Sequence, residues 1–403
     1  MNTFKLIKNH TGKLFPLVIS VLNPYNFIVL FKNLLSILQS QQWENYIIKN
    51  KLGYKEVALK SLGWLKHSQD VVKSGGVGCY EFYRWTTGYP EVTGYIIPTF
   101  WDAYHLFGDE EYKNRAIKMA DWELKIQKPG GGWEGFYEGD GQPPVVFNSG
   151  QVIRGMIRTY KETEQEKYLN AAIKCANWLV STQDEDGSWT SANFKQMKRV
   201  YDTYVTAPLA ELYEITQNEE YRESCIRNCD FVLRHQRRNG WFELCDNTLV
   251  NNDAPVTHTI SYTIDGLIET GQRLKIQKYI DAGKLAAEAL MHKVETLPVL
   301  PARLDKNWKK RSNYVCNTGN AQLGIILMRL FEMTGEARYM NTALKLADYL
   351  TYIQELNSIG ANRNGGMTGS YPIWGMYCPL KYPSWASKYF TDLLFYIDKH
   401  ANK

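Results

Sequence analysis

The sequence predicts an all-α fold, a closed (α/α)6 barrel made of six helical hairpins. Three observations favour this class: a helix–turn–helix unit recurs along the chain, the second helix of each unit is apolar nearly all round, and neither end unit has a polar outer face. An open helical superhelix would need polar capping units at both ends. We therefore expect a closed ring, with the open superhelix as the weaker alternative.

The repeating unit is clearest at residues 171–217. It reads as a helix (AAIKCANWLVSTQ), a glycine turn that ends in an aromatic residue (DEDGSW), a polar loop and a second helix (TYVTAPLAELYEIT). Units of this kind return at a period of roughly 45–65 residues, which indicates a helical repeat. The predicted second helices are Thr93–Phe107, Ser149–Lys161, Thr203–Thr216, Thr259–Gly271, Thr318–Met333 and Trp385–Ile397.

The first helix of each unit has an apolar stripe on one side only, which places it on the outside of the ring. A single hairpin cannot bury this stripe, so neighbouring hairpins must cover it. In the unit at 171–217 the stripe consists of Tyr168, Ala171, Ala172, Cys175, Trp178 and Leu179. The repeats leave no linker from about Tyr54 onward, so the predicted domains are an extension at 1–50 and one toroid at 51–403.

The extension contains a long apolar stretch, Leu14–Leu38, preceded by three lysines. It lacks a small-residue cleavage site, and Asn23–Pro24 in its middle argues against a spanning helix. We expect two short amphipathic pieces that either lie on a membrane surface or pack on the barrel. The predicted location is the cytoplasm, with peripheral contact at the inner membrane left open.

Composition excludes few classes of protein. The net charge of +5 is mild and the basic residues are scattered, so nucleic acid is not an expected partner. Seven cysteines without paired CxxC motifs indicate reduced thiols. No metal site or cofactor is predicted, although loop acids are able to hold calcium without a recognisable motif. The 13% aromatic content is typical of either large packed helices or a sugar-binding cleft.

One polar residue lies at the start of each second helix. In such a barrel these starts surround a shared cavity at one end of the ring. Asn, Asp and Ser are also the preferred N-caps, which is the simpler explanation for Asn148, Asn317 and Ser384. Glu91 and His258 are poor caps and are the better functional candidates. The six residues are Glu91, Asn148, Asp202, His258, Asn317 and Ser384.

Glu91 and Asp202 form a candidate pair of catalytic carboxylates. Helices about 8–10 Å apart in a hexagon place the first and third inner helices roughly 15–17 Å apart. Side chains that point inward then approach the separation of about 6.5–9.5 Å used by inverting glycosidases. The competing loop acids are Glu134, Glu138, Asp140 and Asp253.

A second mechanism is elimination or epimerisation beside a uronate carboxylate, which needs a base, a group that neutralises the carboxylate and often a tyrosine acid. His258 and Tyr262 join Glu91 and Asp202 as the predicted catalytic residues, with Tyr201, Tyr204, Arg303 and Asn317 able to take part. The simpler explanation for each tyrosine is core packing. The predicted substrate-binding residues are Tyr89, Trp133, Asn148, Tyr204, Arg303, Asn317, Tyr371, Trp374, Tyr377 and Trp385.

Three segments resemble a family of α/α-barrel proteins from bacterial exopolysaccharide and surface-polysaccharide biosynthesis clusters: GYPEVTGYIIPTF (88–100), VTHTISYTIDGLIETG (256–271) and GGMTGSYPIWGMYCPLKYPSWASKYFTDLL (365–394). The resemblance covers about residues 68–397 and implies a six-hairpin toroid that assembles or tailors glycans. It implies motif positions, without assigned roles, at Glu91, His258, Ser370, Trp374, Tyr377 and Trp385.

The overall plan is also similar to unsaturated glucuronyl hydrolases, polysaccharide lyases and glucuronyl C5-epimerases, although none of their catalytic motifs matches residue by residue. The QDEDGSW turn is similar to that of terpenoid cyclases, whose acidic DxDD motif is absent. These likenesses imply the fold and a glycan substrate only.

The last junction, Gly365–Pro383, is a long loop rich in tyrosine and tryptophan. Loops of this length are usually functional, so we expect it to cover the cavity and stack on sugar rings, or else to plug the barrel end.

The resulting hypothesis is a glycan-active enzyme of surface-polysaccharide biosynthesis, with hydrolysis, elimination and uronyl epimerisation open in that order. Its expected partner is a poly- or oligosaccharide, with a lipid-linked form left open. A non-catalytic glycan-binding or scaffold protein is the competing class, and a lipid cyclase is third.

Overall fold

A computed structural model describes residues 24–38, 52–248, 251–297, 299–356 and 360–401. These residues form thirteen α-helices, two short 3-10 helices (Phe194–Gln196 and Val200–Asp202) and one two-stranded antiparallel ladder. Twelve of the helices build the predicted (α/α)6 barrel. The part of the predicted extension at 1–23 and 39–50 lies outside the described residues.

Six helices line the inside of the ring. All six were predicted from the apolar pattern, and each begins at or up to three residues before its predicted start. Each contacts the next along the chain, and the sixth contacts the first, so the ring is closed. The inner helices are α3 (Pro90–Phe107), α5 (Val146–Thr163), α7 (Thr203–Thr216), α9 (Thr257–Leu274), α11 (Asn317–Thr334) and α13 (Ser384–Ala401).

Six outer helices surround the inner ones. Each buries one face and exposes the other, as the one-sided stripes predicted; in α6 the buried set includes Tyr168, Ala172, Cys175 and Leu179. The outer helices are α2 (Tyr54–Val72), α4 (Glu110–Ile126), α6 (Glu166–Ser181), α8 (Glu219–Arg234), α10 (Gln277–Thr296) and α12 (Ala337–Ile353).

The hairpins pair differently from the repeat read in the sequence. Each of the first five inner helices packs closely on the outer helix that follows it, across a turn as short as Gly108–Asp109. The sixth inner helix, α13, packs on α2 at the other end of the chain. The long loops that lead into the inner helices therefore lie together at one end of the ring, here called the loop end. The short turns lie at the opposite end, here called the turn end.

The seam between the first and last units is tied at the loop end. A β-bridge joins Tyr80 to Tyr382, and Lys381 forms an ion pair of 2.6 Å with Glu81. The ladder of β1 (Val315–Cys316) and β2 (Ser370–Tyr371) joins the fifth and sixth loops. These contacts hold the loops in one continuous rim.

Backbone contact between α3 and α5 depends on glycine. A Cβ added at Gly94 would lie 2.5 Å from the Cα atom of Val152, and one added at Gly155 would lie 2.4 Å from the carbonyl oxygen of Gly94. Real Cβ atoms do not approach other atoms so closely, so only glycine permits this crossing. The close crossing brings the start of α5 beside the start of α3.

Helix α1 (Pro24–Leu38) lies against the loops of the loop end. Val29 is buried, the Asn26 amide donates to the carbonyl oxygen of Phe82, and the Asn33 side chain accepts from the amide of Ile373 at 3.0 Å. Within the described residues, no helix combines the length and the apolar character needed to cross a bilayer.

Candidate functional site

A cavity of about 250 Å³ opens at the loop end. The starts of α3, α5, α9 and α13 form its base, and the second, third, fourth and sixth loops form its walls. Eight of the residues named from the sequence line it: Tyr89, Glu91, Asn148, Tyr201, His258, Tyr262, Tyr377 and Trp385.

Glu91 supplies the one carboxyl group among the described residues that line this cavity. It is the second residue of α3, which Pro90 starts because proline is favoured in the first turn. The Tyr89 hydroxyl donates to Glu91 Oε2 at 2.9 Å. Burial outweighs this hydrogen bond and raises the pKa of Glu91 to about 7. The carboxyl group therefore gains and loses a proton near neutral pH.

Asn148 is the second partner of Glu91. When its amide is oriented to satisfy both neighbours, the nitrogen donates to Glu91 Oε2 at 3.2 Å and the oxygen accepts from the Phe136 amide at 3.3 Å. Asn148 is the third residue of α5 and makes no cap, so the capping explanation is wrong for this residue. Two donors thus converge on one oxygen of Glu91.

His258 lies in the same cavity and is held by Gln322. Its Nδ1 is 2.7 Å from Gln322 Oε1. An amide oxygen only accepts, so Nδ1 carries the proton and Nε2 is the acceptor of the ring. Burial lowers the pKa of His258 to about 4. The imidazole is therefore neutral at pH 7.

Aromatic rings form most of the remaining wall. The Tyr262 ring lies 4.3 Å from His258 and 4.8 Å from Phe147, measured between centroids. The Trp385 indole donates to the Tyr377 hydroxyl at 2.9 Å. Burial raises the pKa of both tyrosines well above the usual value, so their hydroxyls stay neutral. The wall offers flat apolar faces with a few hydrogen-bonding groups, as small-molecule sites do.

Asp202 is buried outside the cavity lining. It ends the 3-10 helix Val200–Asp202, and this extra turn directs Tyr201 to the cavity and Asp202 to Asn193, whose amide donates to it. Burial raises the pKa of Asp202 well above its usual value. The structure therefore does not bring Glu91 and Asp202 together in one cavity.

Other predicted residues have structural contacts instead. The Arg303 guanidinium donates to Asp246 at 2.9 Å and to the carbonyl oxygen of Ala254 at 2.8 Å. The Asn317 amide donates to Thr368, and the Ser384 hydroxyl donates to the carbonyl oxygen of Gly78. These contacts hold the loops, and neither Asn317 nor Ser384 caps its helix as the simpler explanation proposed.

Some of the aromatic residues predicted to bind substrate also lie outside the cavity. Trp133 is fully buried and its indole donates to the carbonyl oxygen of Glu123. Tyr371 lies in the ladder opposite Val315, and Trp374 is 40% exposed outside the lining. Tyr204 lines a separate chamber that opens at the turn end. Of the last loop, Tyr377 and Cys378 line the cavity.

Sequence reasoning missed the phenylalanines of the cavity. Phe136 and Phe194 meet edge to face at 5.1 Å, and Phe147 precedes Asn148 on α5. Phe136 has a positive φ of 63° and is 39% exposed, and the segment WEGF at 133–136 contains no pattern that marks this conformation. The other missed lining residues are Gly135, Val145, Asn247, Thr259 and Cys378.

No group of three or more His, Cys, Asp or Glu side chains with metal-binding geometry occurs in the described part of the chain. The seven cysteines form no disulfide bond, and all but the partly exposed Cys378 are buried.

Comparison with protein families matches residues 132–288 to the model of Glycosyl Hydrolase Family 88. An uncharacterized protein of Caenorhabditis elegans is 21% identical over 294 residues, which is 64% of this chain. The chain spans 38% of the length of that relative.

Solved structures share the barrel. An unsaturated glucuronyl hydrolase specific for heparin superposes with a TM-score of 0.69 at 14% identity, over 87% of this chain and 98% of its own. Cellobiose 2-epimerase from Bacillus thermoamylovorans gives 0.66 at 14% identity, over 86% and 99%. A polysaccharide lyase gives 0.65 at 15% identity, over 87% and 98%. At these identities the structures show the fold, and together with the family match they support an enzyme that acts on glycans.

Proposed function

We propose that this chain is a glycan-cleaving enzyme of the glycoside hydrolase type, in which Glu91 donates a proton to the leaving oxygen of a sugar held against the aromatic wall. The observation that carries the proposal is a carboxyl group with a pKa of about 7, placed between two hydrogen-bond donors in an aromatic cavity. A general acid works best when its pKa is near the working pH. Tyr89 and Asn148 stabilise the carboxylate that remains after proton transfer.

The attacking water needs an orienting group, and His258 is the best placed. Its Nε2 accepts a hydrogen bond because Nδ1 is committed to Gln322. A pKa of about 4 makes this imidazole a weak base, so its role is to position water while the Glu91 carboxylate accepts the proton that water releases. The same two groups would serve elimination or epimerisation if the sugar presented its C5 proton, so the product decides the reaction class.

The reaction is tested on a panel of neutral and uronate-containing bacterial polysaccharides in heavy-isotope water. We expect shortened products that carry heavy oxygen. New ultraviolet absorbance from unsaturated uronates would mean elimination, and deuterium uptake without shortening would mean epimerisation; either result would contradict hydrolysis.

Two variants assign the proton transfer. Glu91→Gln keeps the shape and the acceptor for Tyr89 and should lose activity by a factor of about 10²–10⁴. Glu185→Gln removes an exposed carboxyl group from the third loop at the same end of the barrel and should keep full activity. Full activity of Glu91→Gln, with its melting temperature unchanged, would refute the role of Glu91.

We further propose that the substrate belongs to surface-polysaccharide biosynthesis and is presented in lipid-linked form. Helix α1 supports contact with a lipid surface, because the large apolar residues opposite its barrel contacts are exposed and follow helical spacing. They are Phe27, Ile28, Phe31, Leu34 and Leu35. The first 51 residues contain six lysines and one glutamate, a charge balance that suits anionic lipid.

Vesicle sedimentation tests the membrane contact. The full chain should bind vesicles that contain phosphatidylglycerol more strongly than neutral phosphatidylcholine vesicles. Replacement of Phe27 and Phe31 by serine should reduce binding by at least about tenfold, because two large apolar groups leave the interface. The matched change Leu285→Ser on outer helix α10, which is 44% exposed, should have no effect. Equal binding by the two variants would contradict a role for α1.

A further inference from the structure

The cavity at the loop end, here called the Glu91 cavity, offers a ligand no positive charge. Among its described lining residues Glu91 is the one acid, and none is a lysine or an arginine. His258 is neutral at pH 7, because burial lowers its pKa to about 4. The other lining residues are aromatic, apolar, or polar without charge, as with Asn148, Asn247 and Thr259. A ligand with a negative charge therefore finds no counter-charge on these walls.

The pKa values of Glu91 and His258 report on the charge around them. Burial raises the pKa of Glu91 to about 7, and the hydrogen bond from Tyr89 is the one effect that opposes it. For His258, burial is opposed by the hydrogen bond to Gln322 alone. A lysine or arginine within about 4–6 Å would also lower the pKa of Glu91. In the part of the chain that the structure describes, no such cation acts on either group.

Basic residues that are close to the cavity in the chain have partners elsewhere. Arg303 is the one arginine that the sequence predicted for a reaction beside a uronate carboxylate, and it forms an ion pair of 2.9 Å with Asp246. Lys381 lies three residues after the lining residue Cys378 and forms an ion pair of 2.6 Å with Glu81. These two cations therefore stabilise the loops and take no part in the cavity lining.

Arg199 lies two residues before the lining residue Tyr201. It is 0% exposed, and its guanidinium donates to the carbonyl oxygens of Asp246 and Thr248. Because none of its surface is accessible, a ligand in the cavity does not contact it.

Six arginines and lysines of the inner helices lie at the turn end of the ring. They line the separate chamber there, and each forms an ion pair with a carboxylate. This end of the lumen differs from the prediction that the inner helices are apolar nearly all round. Tyr204 of the chamber packs on Tyr262 of the Glu91 cavity at 4.6 Å between centroids, so tyrosines separate these charges from the cavity. The six residues are Arg154, Arg158, Arg273, Arg329, Lys388 and Lys399.

We propose that the sugar unit held in the Glu91 cavity is neutral and that the cavity excludes uronates. This inference rests on the function proposed above, since it names the class of sugar on which Glu91 acts. A carboxylate that leaves water for an apolar site loses its hydration, and without a cation this loss is not compensated. A hydroxymethyl group at the same ring position has no charge and avoids this cost.

Other features of the cavity suit a neutral sugar. Its volume of about 250 Å³ lies just below the range of about 300–1,000 Å³ found for drug-sized ligands, which is the size for one sugar ring. Flat faces such as those of Trp385 and Phe136 provide apolar contact for the ring. The half-buried amide of Asn247 both donates and accepts hydrogen bonds, as sugar hydroxyls do.

A neutral sugar also narrows the reaction. Elimination and uronyl epimerisation remove a proton beside a carboxylate, and a group that neutralises this carboxylate must stabilise the charge that develops. The described lining of the Glu91 cavity contains no cation for this purpose. Hydrolysis needs no carboxylate on the sugar, so it is the reaction that this lining suits.

Calorimetric titration of the Glu91→Gln variant measures binding without turnover. The probes are glucosyl-, galactosyl- and mannosyl-glucose, each beside its uronosyl counterpart, which differs only at C6. We expect at least one neutral disaccharide to bind with a dissociation constant in the millimolar range or tighter, and its uronosyl counterpart to bind about tenfold more weakly or worse. Equal or tighter binding by the uronosyl sugar, or no binding by any neutral disaccharide, would overturn the proposal.

The methyl ester of the uronosyl sugar separates charge from size. It is bulkier than the uronate but has no charge, so it should recover most of the lost binding. An ester that binds as weakly as the uronate would show that size excludes both, and would overturn an effect of charge.

A cation added to the wall should reverse the preference. In the Glu91→Gln background, Asn247→Arg places a guanidinium in the lining and should strengthen uronosyl binding by about tenfold. Gln142→Arg, at an exposed position of the second loop outside the lining, should leave binding unchanged. No gain from Asn247→Arg, with its melting temperature unchanged, would contradict the proposal.

Failure of this proposal and failure of the hydrolytic one give different results. Hydrolysis of a uronate at its glycosidic bond by the wild type would preserve the role of Glu91 and overturn the exclusion of uronates. Neutral sugar binding by Glu91→Gln, without hydrolysis of any glycan by the wild type, would preserve the preference for a neutral sugar and contradict the hydrolytic function.

Discussion

Glu91 and His258 show how one cause acts in opposite directions on two neighbouring residues. Burial disfavours charge, so it raises the pKa of the acid to about 7 and lowers that of the imidazole to about 4. Between these values His258 is neutral and Glu91 is largely protonated. We therefore expect a bell-shaped dependence of kcat/KM on pH, with limbs near 4 and 7.

Replacement of Gln322 should move the acidic limb. In Gln322→Glu a carboxylate accepts from His258 Nδ1 and favours the charged ring, so the pKa of His258 rises from about 4. The acidic limb of kcat/KM should then shift upward by at least one pH unit while the limb near 7 stays. Gln183→Glu, at an outer glutamine of the third loop, serves as the control. An unchanged acidic limb would show that His258 does not set it.

Glu91 also makes stability depend on pH. Its folded pKa of about 7 lies above the ordinary value of 4.5, so the folded state binds more protons and the free energy of unfolding falls as pH rises between these values. The variant Glu91→Gln has no titrating group at this position, so its free energy of unfolding does not fall with pH for this reason. Its unfolding free energy relative to wild type should increase by on the order of 2 kcal/mol from pH 5 to pH 8. Urea unfolding at each pH measures this difference, and parallel curves for the two proteins would refute the raised pKa.

About half of the residues predicted from the sequence line the cavity, because residue chemistry and helix position were both visible in the sequence. Glu91 and His258 were unlikely caps, and this chemical argument led to residues that line the cavity. Asp202 was aligned with them by position alone. The 3-10 turn before α7 rotates it away, and no local pattern in the sequence marks that turn.

At the scale of elements, helix identity was predictable and helix starts were less so. The helix Thr203–Thr216 has the predicted bounds, whereas α3 and α5 begin three residues earlier than predicted. Asn148 and Asn317, which the simpler explanation takes as caps, lie inside the first turn, and the N-cap positions fall to Val145 and Cys316, whose side chains make no cap bond. Cap signals therefore gave the approximate location of a helix start and missed the residue.

The crossing of α3 and α5 should be the most sensitive contact between elements. Gly94→Ala places a methyl group 2.5 Å from the Val152 Cα atom, so the two backbones must separate. We expect a loss of about 2–3 kcal/mol in unfolding free energy. Gly63→Ala on outer helix α2, where no atom lies within 4 Å of the new Cβ, should gain about 0.5–1 kcal/mol. Equal effects in urea unfolding would contradict the close crossing.

At the scale of the whole molecule, the lack of polar end units in the sequence predicted that the ring is closed. The sequence did not predict which outer helix packs on which inner helix. The sequence pairs α2 with α3 because they are neighbours in the chain, whereas the structure pairs α2 with α13. That choice depends on contacts across more than 300 residues, such as the donation from the Ser61 hydroxyl to the carbonyl oxygen of Ser387. Periodicity within a window does not contain this information.

A closed ring without free ends should unfold as one unit. Far-ultraviolet circular dichroism and tryptophan fluorescence should report coincident urea transitions. Trp64→Ala opens a cavity at the seam, where Trp64 is fully buried, and should cost about 3–5 kcal/mol while the transition stays single. Trp374→Ala, at a 40% exposed position, should change stability by less than about 0.5 kcal/mol. A second transition in the wild type would mean that the ring opens in parts.

The seam between α2 and α13 also has a consequence during synthesis on the ribosome. About 330 residues are translated between the end of α2 and the end of α13, which takes roughly 15–65 s at 5–20 residues per second. Throughout that interval the face of α2 with Val57, Leu62 and Leu65 has no native partner and is available to a chaperone. A gene permuted so that α2 is translated directly after α13 would remove the delay and should yield more folded protein in cells that are short of chaperones.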